Sequence, residues 1–394
     1  MPRYADRPRW HIALDAWAVV VIGAALWQIL SQLGAYQWDV IVYWWGGRAF
    51  VSGQSPYGPI PGQPVYLHFV YPPLLAAVFA PMAAFNVTAT KLIWITLKAI
   101  AFWATIRIWK RATGVGTIPV PPVFFFTFAF GAAALVDFTA GNISVFEQLV
   151  LWLGFAALLA KRPWRFAIAV ALVAQFKLTP VFFLGVLLVI DEKPRWGPFI
   201  GGSALFLALF GANFVLMPAQ AREFLTSVQS LGERGWGDPS TLGVMQDLVD
   251  QVQGVGIPVA PAVAYILYVA VVVAVLAITV RWWRARALER RNDRLVIVLV
   301  SIAVYALIMP RMKDYSYLAL FPVGWYVLAM RPFNTGSIAV FAALLPRPLP
   351  QLKLWLPGVT QAYVYAPLAG ALVVWAALVG ISAAQSKPPA DTAA

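Results

Sequence analysis

The chain has 394 residues, of which 61% are hydrophobic and 11% charged, and it contains two histidines and no cysteine. This composition excludes an ordinary soluble domain, a disulfide scaffold, thiolate chemistry and a histidine-rich metal centre. The formal net charge of +13 gathers in short segments between apolar runs. In that position it indicates membrane topology rather than nucleic-acid binding.

Apolar runs of about 16 to 22 residues recur along the chain, which is the length that crosses a bilayer core. They are too long and continuous for barrel strands, so helices are expected. In chain order the apolar segments are approximately 13–30, 70–85, 92–109, 121–136, 143–160, 166–190, 198–216, 262–280, 295–309, 317–330, 338–345 and 361–383. We therefore predict an all-α polytopic membrane protein, with segment 70–85 either a short helix or a re-entrant piece.

The distribution of charge orients these segments. Residues 31–69 carry only Asp39 and Arg48 besides His68, so they are predicted to form a first outer loop, and 218–261 a second one. If segment 166–190 crossed only once, six arginines between 281 and 294 would lie outside, against the positive-inside rule. We therefore predict two short helices broken at 177–180, where Pro180 interrupts the hydrogen-bond ladder. This gives about 12 spans and cytoplasmic termini.

We interpret residues 1–385 as a single transmembrane domain and 386–394 as a disordered cytoplasmic tail. The topology places several polar residues together on the outer face. They are Asp39, Arg48, His68, Tyr71, Asp137, Asn142, Glu147, Lys177, Arg311, Lys313 and Asp314. Cations at membrane depth neutralise a phosphate well, and a carboxylate can take a proton from a hydroxyl. The group predicts a site for an anionic, lipid-linked ligand.

Structural interpretations of the same residues stand beside this one. Asp39 is also suited to cap a helix, Lys177 to extend towards the membrane surface, and Arg311 and Lys313 to serve as ordinary loop charges. The aromatic residues around Asp39 are typical of an interfacial belt. The Asn-x-Ser/Thr triplet that starts at Asn142 falls at a predicted helix end, and we interpret it as chance.

Four short motifs in order resemble a known family. They are WDVIVY at 38–43 followed by GQSPY at 53–57, FVYPPL at 69–74, GNI at 141–143, and KLTP at 177–180. They are similar to elements of the GT-C glycosyltransferases of family 87, the family of the mycobacterial polyprenol-phosphate-mannose α-1,2-mannosyltransferases. The chain departs from the family pattern at 141–142, where it has Gly-Asn and many members have Gly-Gln.

The resemblance implies a GT-C-type fold with a catalytic first outer loop, in a bacterial cytoplasmic (inner) membrane. It implies transfer of a sugar, mannose by default, from a polyprenyl-phosphate donor to a glycolipid or glycan hydroxyl at the outer face, with inversion. Asp39 is then the catalytic base, and Lys177, Arg311 and Lys313 bind the donor phosphate. The residues expected to bind substrate are Arg48, His68, Tyr71, Asn142 and Glu147. The expected partners are these substrates and the bilayer, without nucleic acid.

Some alternatives remain open at this point. No cofactor is predicted, yet a divalent metal stays open because Asp39, Asp137, Glu147 and Asp314 are candidate oxygen ligands. Glucose or arabinose is an alternative to mannose. A lipid or lipid-linked-sugar transporter or flippase is the main alternative function, although no convincing internal repeat supports it. A lipid-binding or assembly protein without catalysis would tolerate Asp39→Asn.

Overall fold

A computed structural model describes residues 8–63, 67–229, 238–288, 293–330 and 364–384. Its α-helices are α1 (Arg9–Ser31), α2 (Trp38–Val51), α3 (Pro73–Phe79), α4 (Val87–Thr113), α5 (Pro122–Ala140), α6 (Ser144–Leu159), α7 (Pro163–Phe176), α8 (Trp196–Leu216), α9 (Pro218–Gln229), α10 (Thr241–Gly254), α11 (Ala262–Leu288), α12 (Arg294–Ile308), α13 (Phe321–Ala329) and α14 (Ala366–Ala384). Shorter 3-10 helices span Ala80–Ala84, Thr179–Leu188 and Asp314–Leu320. The predicted segment 338–345 and the predicted tail 386–394 lie outside the described residues.

The helices confirm the predicted all-α membrane architecture. Within the described ranges, five helices are long and apolar enough to cross a bilayer, namely Arg9–Ser31, Val87–Thr113, Pro122–Ala140, Trp196–Leu216 and Ala262–Arg286. Six further apolar helices are shorter. Segment 70–85 forms one of these short pieces, α3 with the 3-10 helix after it. The total of about 12 spans remains a prediction.

Residues 31–69, predicted as a loop, contain the helix α2. This helix packs closely on the α3 region because it carries two adjacent glycines. A Cβ atom on Gly46 would lie 2.4 Å from the Phe69 ring, and one on Gly47 would lie 2.1 Å from the carbonyl oxygen of Phe79. The start of α2 is tied to the end of α5, since Gln37 N donates to Thr139 O at 2.9 Å. These contacts fix the depth of Asp39, which lies in the first turn of α2.

The predicted break at 177–180 is present. Helix α7 ends at Phe176, Lys177 has an extended backbone, and a 3-10 helix follows from Thr179. Pro180 occupies the first turn of that 3-10 helix, where its missing N–H costs least. Lys177 is therefore held between two short apolar helices, at the point where the chain changes direction.

Candidate functional site

A cavity of about 770 Å³ lies between the first turn of α2, the α5–α6 turn and the segment before α13. Its polar and aromatic lining residues include Trp38, Asp39, Tyr43, His68, Tyr71, Asn142, Arg311, Lys313, Asp314 and Tyr315. We call it the main cavity. It brings together residues from distant parts of the chain, and most of them are the candidates singled out in the sequence.

A second cavity of about 270 Å³ adjoins the first, and we call it the lateral cavity. The residues that line both cavities are Val70, Tyr71, Arg311, Lys313 and Tyr315. Lys177 lines only the lateral cavity, among apolar residues such as Phe176, Leu178, Phe224 and Val228. A cation beside an apolar wall suits a ligand that joins an anionic group to a hydrocarbon chain.

Asp39 opens onto the main cavity and accepts one hydrogen bond from the side chains that the structure describes. The side-chain amide of Asn142 donates to its Oδ2 at 2.7 Å. Burial raises the pKa of Asp39, while the hydrogen bond from Asn142 and the charge of Lys313 act in the opposite direction. The net direction is upward, which makes the carboxylate a stronger base than a solvated aspartate.

Asn142 continues into a network that reaches the lateral cavity. Its Oδ1 accepts from the backbone N of Ser144 at 3.0 Å and from Ser144 Oγ at 2.8 Å. Lys177 Nζ donates to Ser144 Oγ and to Glu147 Oε2, both at 2.8 Å. Asp39 and Lys177 therefore belong to one continuous set of hydrogen bonds.

A second ion pair is connected to the turn that carries Asn142. Lys98 on α4 and Asp137 on α5 are fully buried, with 2.6 Å between Nζ and Oδ2. Lys98 Nζ also donates to the carbonyl oxygen of Asp137 at 2.7 Å, and the same oxygen accepts from the backbone N of Gly141 and of Asn142. The pair thus holds the end of α5, from which the turn carrying Asn142 begins.

The cationic turn that carries Arg311 and Lys313 is positioned by residues of the predicted second outer loop. Asp238 Oδ1 accepts from the backbone N of Met312 at 2.6 Å, and Ser240 Oγ donates to Pro310 O at 2.8 Å. Burial lowers the pKa of Lys313 to about 8, although Asp39 and Asp314 raise it. Lys313 therefore loses its charge within an experimentally accessible pH range.

Two buried tyrosines, Tyr43 and Tyr71, line the main cavity with Asp39. The hydroxyls of Tyr43 and Tyr71 are 3.2 Å apart, and Tyr43 Oη accepts from Ile143 N at 3.1 Å. Tyr57 Oη donates to the carbonyl oxygen of Tyr71 at 2.5 Å. Burial raises the pKa of Tyr43 and of Tyr71, so both phenols stay neutral at physiological pH. They supply hydroxyl groups and ring faces rather than charge.

The structure brings the predicted site residues together with one exception. Asp39, His68, Tyr71, Asn142, Arg311 and Lys313 line the main cavity, and Lys177 lines the lateral one with Glu147 paired behind it. Arg48 is exposed, lies 5.2 Å from the centre of the Trp44 ring, and lines neither cavity. Its assignment to substrate binding therefore has no geometric support.

The sequence interpretation missed Ser144, Lys98 and Tyr315. The Asn142-Ile143-Ser144 triplet was a signal, because Asn142 bonds the residue two positions later, as Asx turns do. A lysine inside an apolar span, as at Lys98, was another.

Within the described residues, no three His, Cys, Asp or Glu side chains are grouped as a metal site would require. Of the four carboxylates considered as ligands, Asp137 and Glu147 are paired with lysines.

The family model of glycosyltransferase family 87 matches residues 69–310. A polyprenol-phosphate-mannose-dependent α-(1-2)-phosphatidylinositol mannoside mannosyltransferase of Mycolicibacterium smegmatis is 27% identical over 401 residues, covering 92% of this chain and 87% of the relative. A polyprenol-phosphate-mannose-dependent α-(1-2)-phosphatidylinositol pentamannoside mannosyltransferase of the same organism is 25% identical over 329 residues, covering 79% and 74%. A protein of the same description from Mycobacterium tuberculosis is 27% identical over 321 residues, covering 77% and 69%.

Proposed function

This chain belongs to glycosyltransferase family 87, and on that premise we propose that it transfers mannose from a polyprenyl-phosphate donor to a hydroxyl of a glycolipid or glycan acceptor. The observation that carries the proposal is the position of Asp39 on a cavity that also contains Arg311 and Lys313 and adjoins Lys177. The names of the relatives support the donor and the acceptor class, since they specify polyprenol-phosphate-mannose and phosphatidylinositol mannosides.

We assign the main cavity to the acceptor and the reacting sugar, and the lateral cavity to the donor phosphate with the first part of its lipid. The main cavity has the tyrosine hydroxyls and the amide of Asn142 for sugar hydroxyls. The lateral cavity has Lys177 beside an apolar wall. Arg311 and Lys313 line both cavities, so they lie where the phosphate and the sugar meet.

In the proposed reaction, Asp39 takes the proton of the acceptor hydroxyl. The acceptor oxygen bonds to the anomeric carbon while the bond from that carbon to the phosphate oxygen breaks on the opposite face, which inverts the configuration. The phosphate leaves as an anion and needs no proton from a general acid. Its developing charge is stabilised by Lys177, Arg311 and Lys313, a preorganised electrostatic contribution that is worth several kcal/mol in enzymes, on the order of 3 kcal/mol for one donor.

The surrounding ion pairs support these roles. Glu147 holds one side of the Lys177 ammonium group, which leaves the side towards the lateral cavity for an anion. Lys98 is held by Asp137 and lowers the pKa of Asp39 through its charge, which keeps the carboxylate ionised in a buried place. Asp39 thus combines a raised pKa with enough neighbouring positive charge to remain a base.

We further propose the membrane arrangement that the charge pattern predicts. Residues 1–385 form one transmembrane GT-C-like domain of about 12 spans in the bacterial cytoplasmic membrane, with both termini in the cytoplasm and the site on the outer face. The proposed donor agrees with a site on the outer face, because its sugar is carried by a lipid of the outer leaflet and no nucleotide is required there.

The test is sugar transfer by purified protein in detergent, with a short-chain polyprenyl-phosphate mannose and a phosphatidylinositol mannoside acceptor. Asp39→Asn is expected to lower turnover by about 10²- to 10⁴-fold while donor binding persists, since removal of a general base has effects of that size. Asp250→Asn, an exposed change of the same type on α10, is the matched control and should retain activity.

Two outcomes would contradict the proposal. Normal turnover in Asp39→Asn would remove the base from the mechanism. Movement of the labelled donor across reconstituted vesicles by the wild type, without transfer to any acceptor, would instead support the flippase alternative.

A further inference from the structure

We infer that Ser144 is a positioning residue, which orients the amide of Asn142 and thereby keeps Asp39 accepting a hydrogen bond beside the donor-binding Lys177. This inference rests on the proposed function and assigns a task to a residue that touches neither cavity. Ser144 is 1% exposed and stands at the first position of α6.

The direction of each hydrogen bond follows from the end of the network. A protonated lysine has donors and no acceptor, so Lys177 must donate to Ser144 Oγ across their 2.8 Å contact. The single hydroxyl proton of Ser144 is then directed to Asn142 Oδ1, also at 2.8 Å. With its oxygen engaged there, Asn142 presents its NH₂ group to Asp39 Oδ2.

This orientation determines the protonation state that the site favours at Asp39. An amide NH₂ stabilises an ionised carboxylate, whereas an amide oxygen in the same place would stabilise the protonated acid. If the side-chain amide of Asn142 were flipped, its oxygen would face Asp39 and the base would be disabled, although only the amide N and O atoms would have exchanged places. The backbone N of Ser144, 3.0 Å from Oδ1, opposes the flip, and the hydroxyl adds a second donor.

The network also joins the two halves of the reaction. One end is the carboxylate that removes the acceptor proton, and the other is the ammonium group that faces the leaving phosphate. Ser144 is the only side chain between Asn142 and Lys177 in this described network. Loss of its hydroxyl separates the two ends while leaving Lys177 paired with Glu147.

The experiment compares the pH dependence of kcat/KM for wild type, Ser144→Ala, Ser144→Thr and Ser301→Ala. Ser144→Ala removes one of the two donors to Oδ1, and we expect the acidic limb to move upward by about 0.5–1 pH unit. At pH values below the limb this is about a three- to ten-fold loss, with donor KM within about two-fold of wild type. Ser144→Thr keeps the hydroxyl and should return the limb to its wild-type position.

Ser301→Ala is the matched control. Ser301 Oγ donates to Ile297 O within α12 and lines neither cavity, so its loss should leave the limb unchanged. If Ser144→Ala does not yield folded protein, Ser144→Cys replaces it, since a thiol is a weak donor of similar size.

A uniform loss of rate in Ser144→Ala at every pH, or a wild-type profile, would overturn the inference and leave the proposed function standing. Absence of transfer by the wild type would overturn the proposed function and the inference together. An upward shift of the acidic limb in Ser144→Ala that is absent in Ser144→Thr is expected only if the Ser144 hydroxyl acts on Asp39 through Asn142.

Discussion

Lys313 gives the sharpest test of the electrostatics of the site. Its side chain lines both cavities, and burial lowers its pKa to about 8. The lysine is protonated and charged below that pH and loses its charge as the pH rises through it. If the charge stabilises the leaving phosphate, kcat/KM must fall along a basic limb centred near pH 8.

The magnitude follows from the titration itself. At pH 9, one unit above a pKa of about 8, roughly one tenth of the enzyme keeps the charged lysine. We therefore expect about a ten-fold loss of kcat/KM between the plateau and pH 9. Lys313→Arg keeps the charge at every accessible pH, because a guanidinium does not deprotonate below about pH 12.

The assay is the transfer reaction from pH 5 to 10 at low donor concentration, so that it reports the free enzyme. Lys313→Arg should abolish the basic limb even if the plateau is lower, because the guanidinium differs from the ammonium in shape. Lys193→Arg, at an exposed position away from the cavities, should keep the limb. A limb near pH 8 that persists unchanged in Lys313→Arg would refute the assignment.

Two further predictions concern the scaffold. Gly141→Ala should lower the free energy of unfolding by about 1–2 kcal/mol or more, because Gly141 has φ +75 and a Cβ there would lie 2.6 Å from Val40 Cγ2. Thermal denaturation in detergent measures this loss. The control is Gly114→Ala, which has open space at φ +64, and an equal loss in both variants would contradict the clash. Lys98→Met should destabilise the fold by about 3–5 kcal/mol, because it leaves the Asp137 carboxylate buried without its cation. The double variant with Asp137→Leu should recover much of the stability. Equal melting temperatures for the single and double variants would argue that the ion pair does not stabilise the fold.

The spacing of the apolar runs and the distribution of charge were sufficient to predict much of the fold. Long apolar runs gave the membrane helices, because the bilayer demands both their length and their internal hydrogen bonds. The break at 177–180 was predictable from Pro180 and from the arginines that a single span would have misplaced. The non-helical backbone between Ala129 and Ala132 inside α5 was not predictable, since its positive φ values fall on Phe130 and Ala132 as well as on Gly131.

Most residues of the candidate site were predictable from the sequence, whereas the contacts between them were less so. Asp39 and the cations were conspicuous because charge is costly near lipid. Arg48 groups with them only if residues 31–69 form a loop, as the lack of other charges predicts. Arg48 lies nine residues after Asp39 in a helix of 3.6 residues per turn, which is about 2.5 turns and places the two side chains on opposite faces. Ser144 carries no charge, and its hydrogen bonds to Asn142 and Lys177 are visible only in the structure.

The hold that Asp238 and Ser240 have on the cationic turn bears on the order in which the enzyme is made. Asp39 is synthesised early, and its partner Asn142 follows about a hundred residues later. Asp238 and Ser240, which hold the turn in the folded protein, are synthesised before Arg311 and Lys313. Before that turn is made, the nascent chain carries Asp39 without the cations that share its cavity, so this cavity is completed only by a late part of the chain.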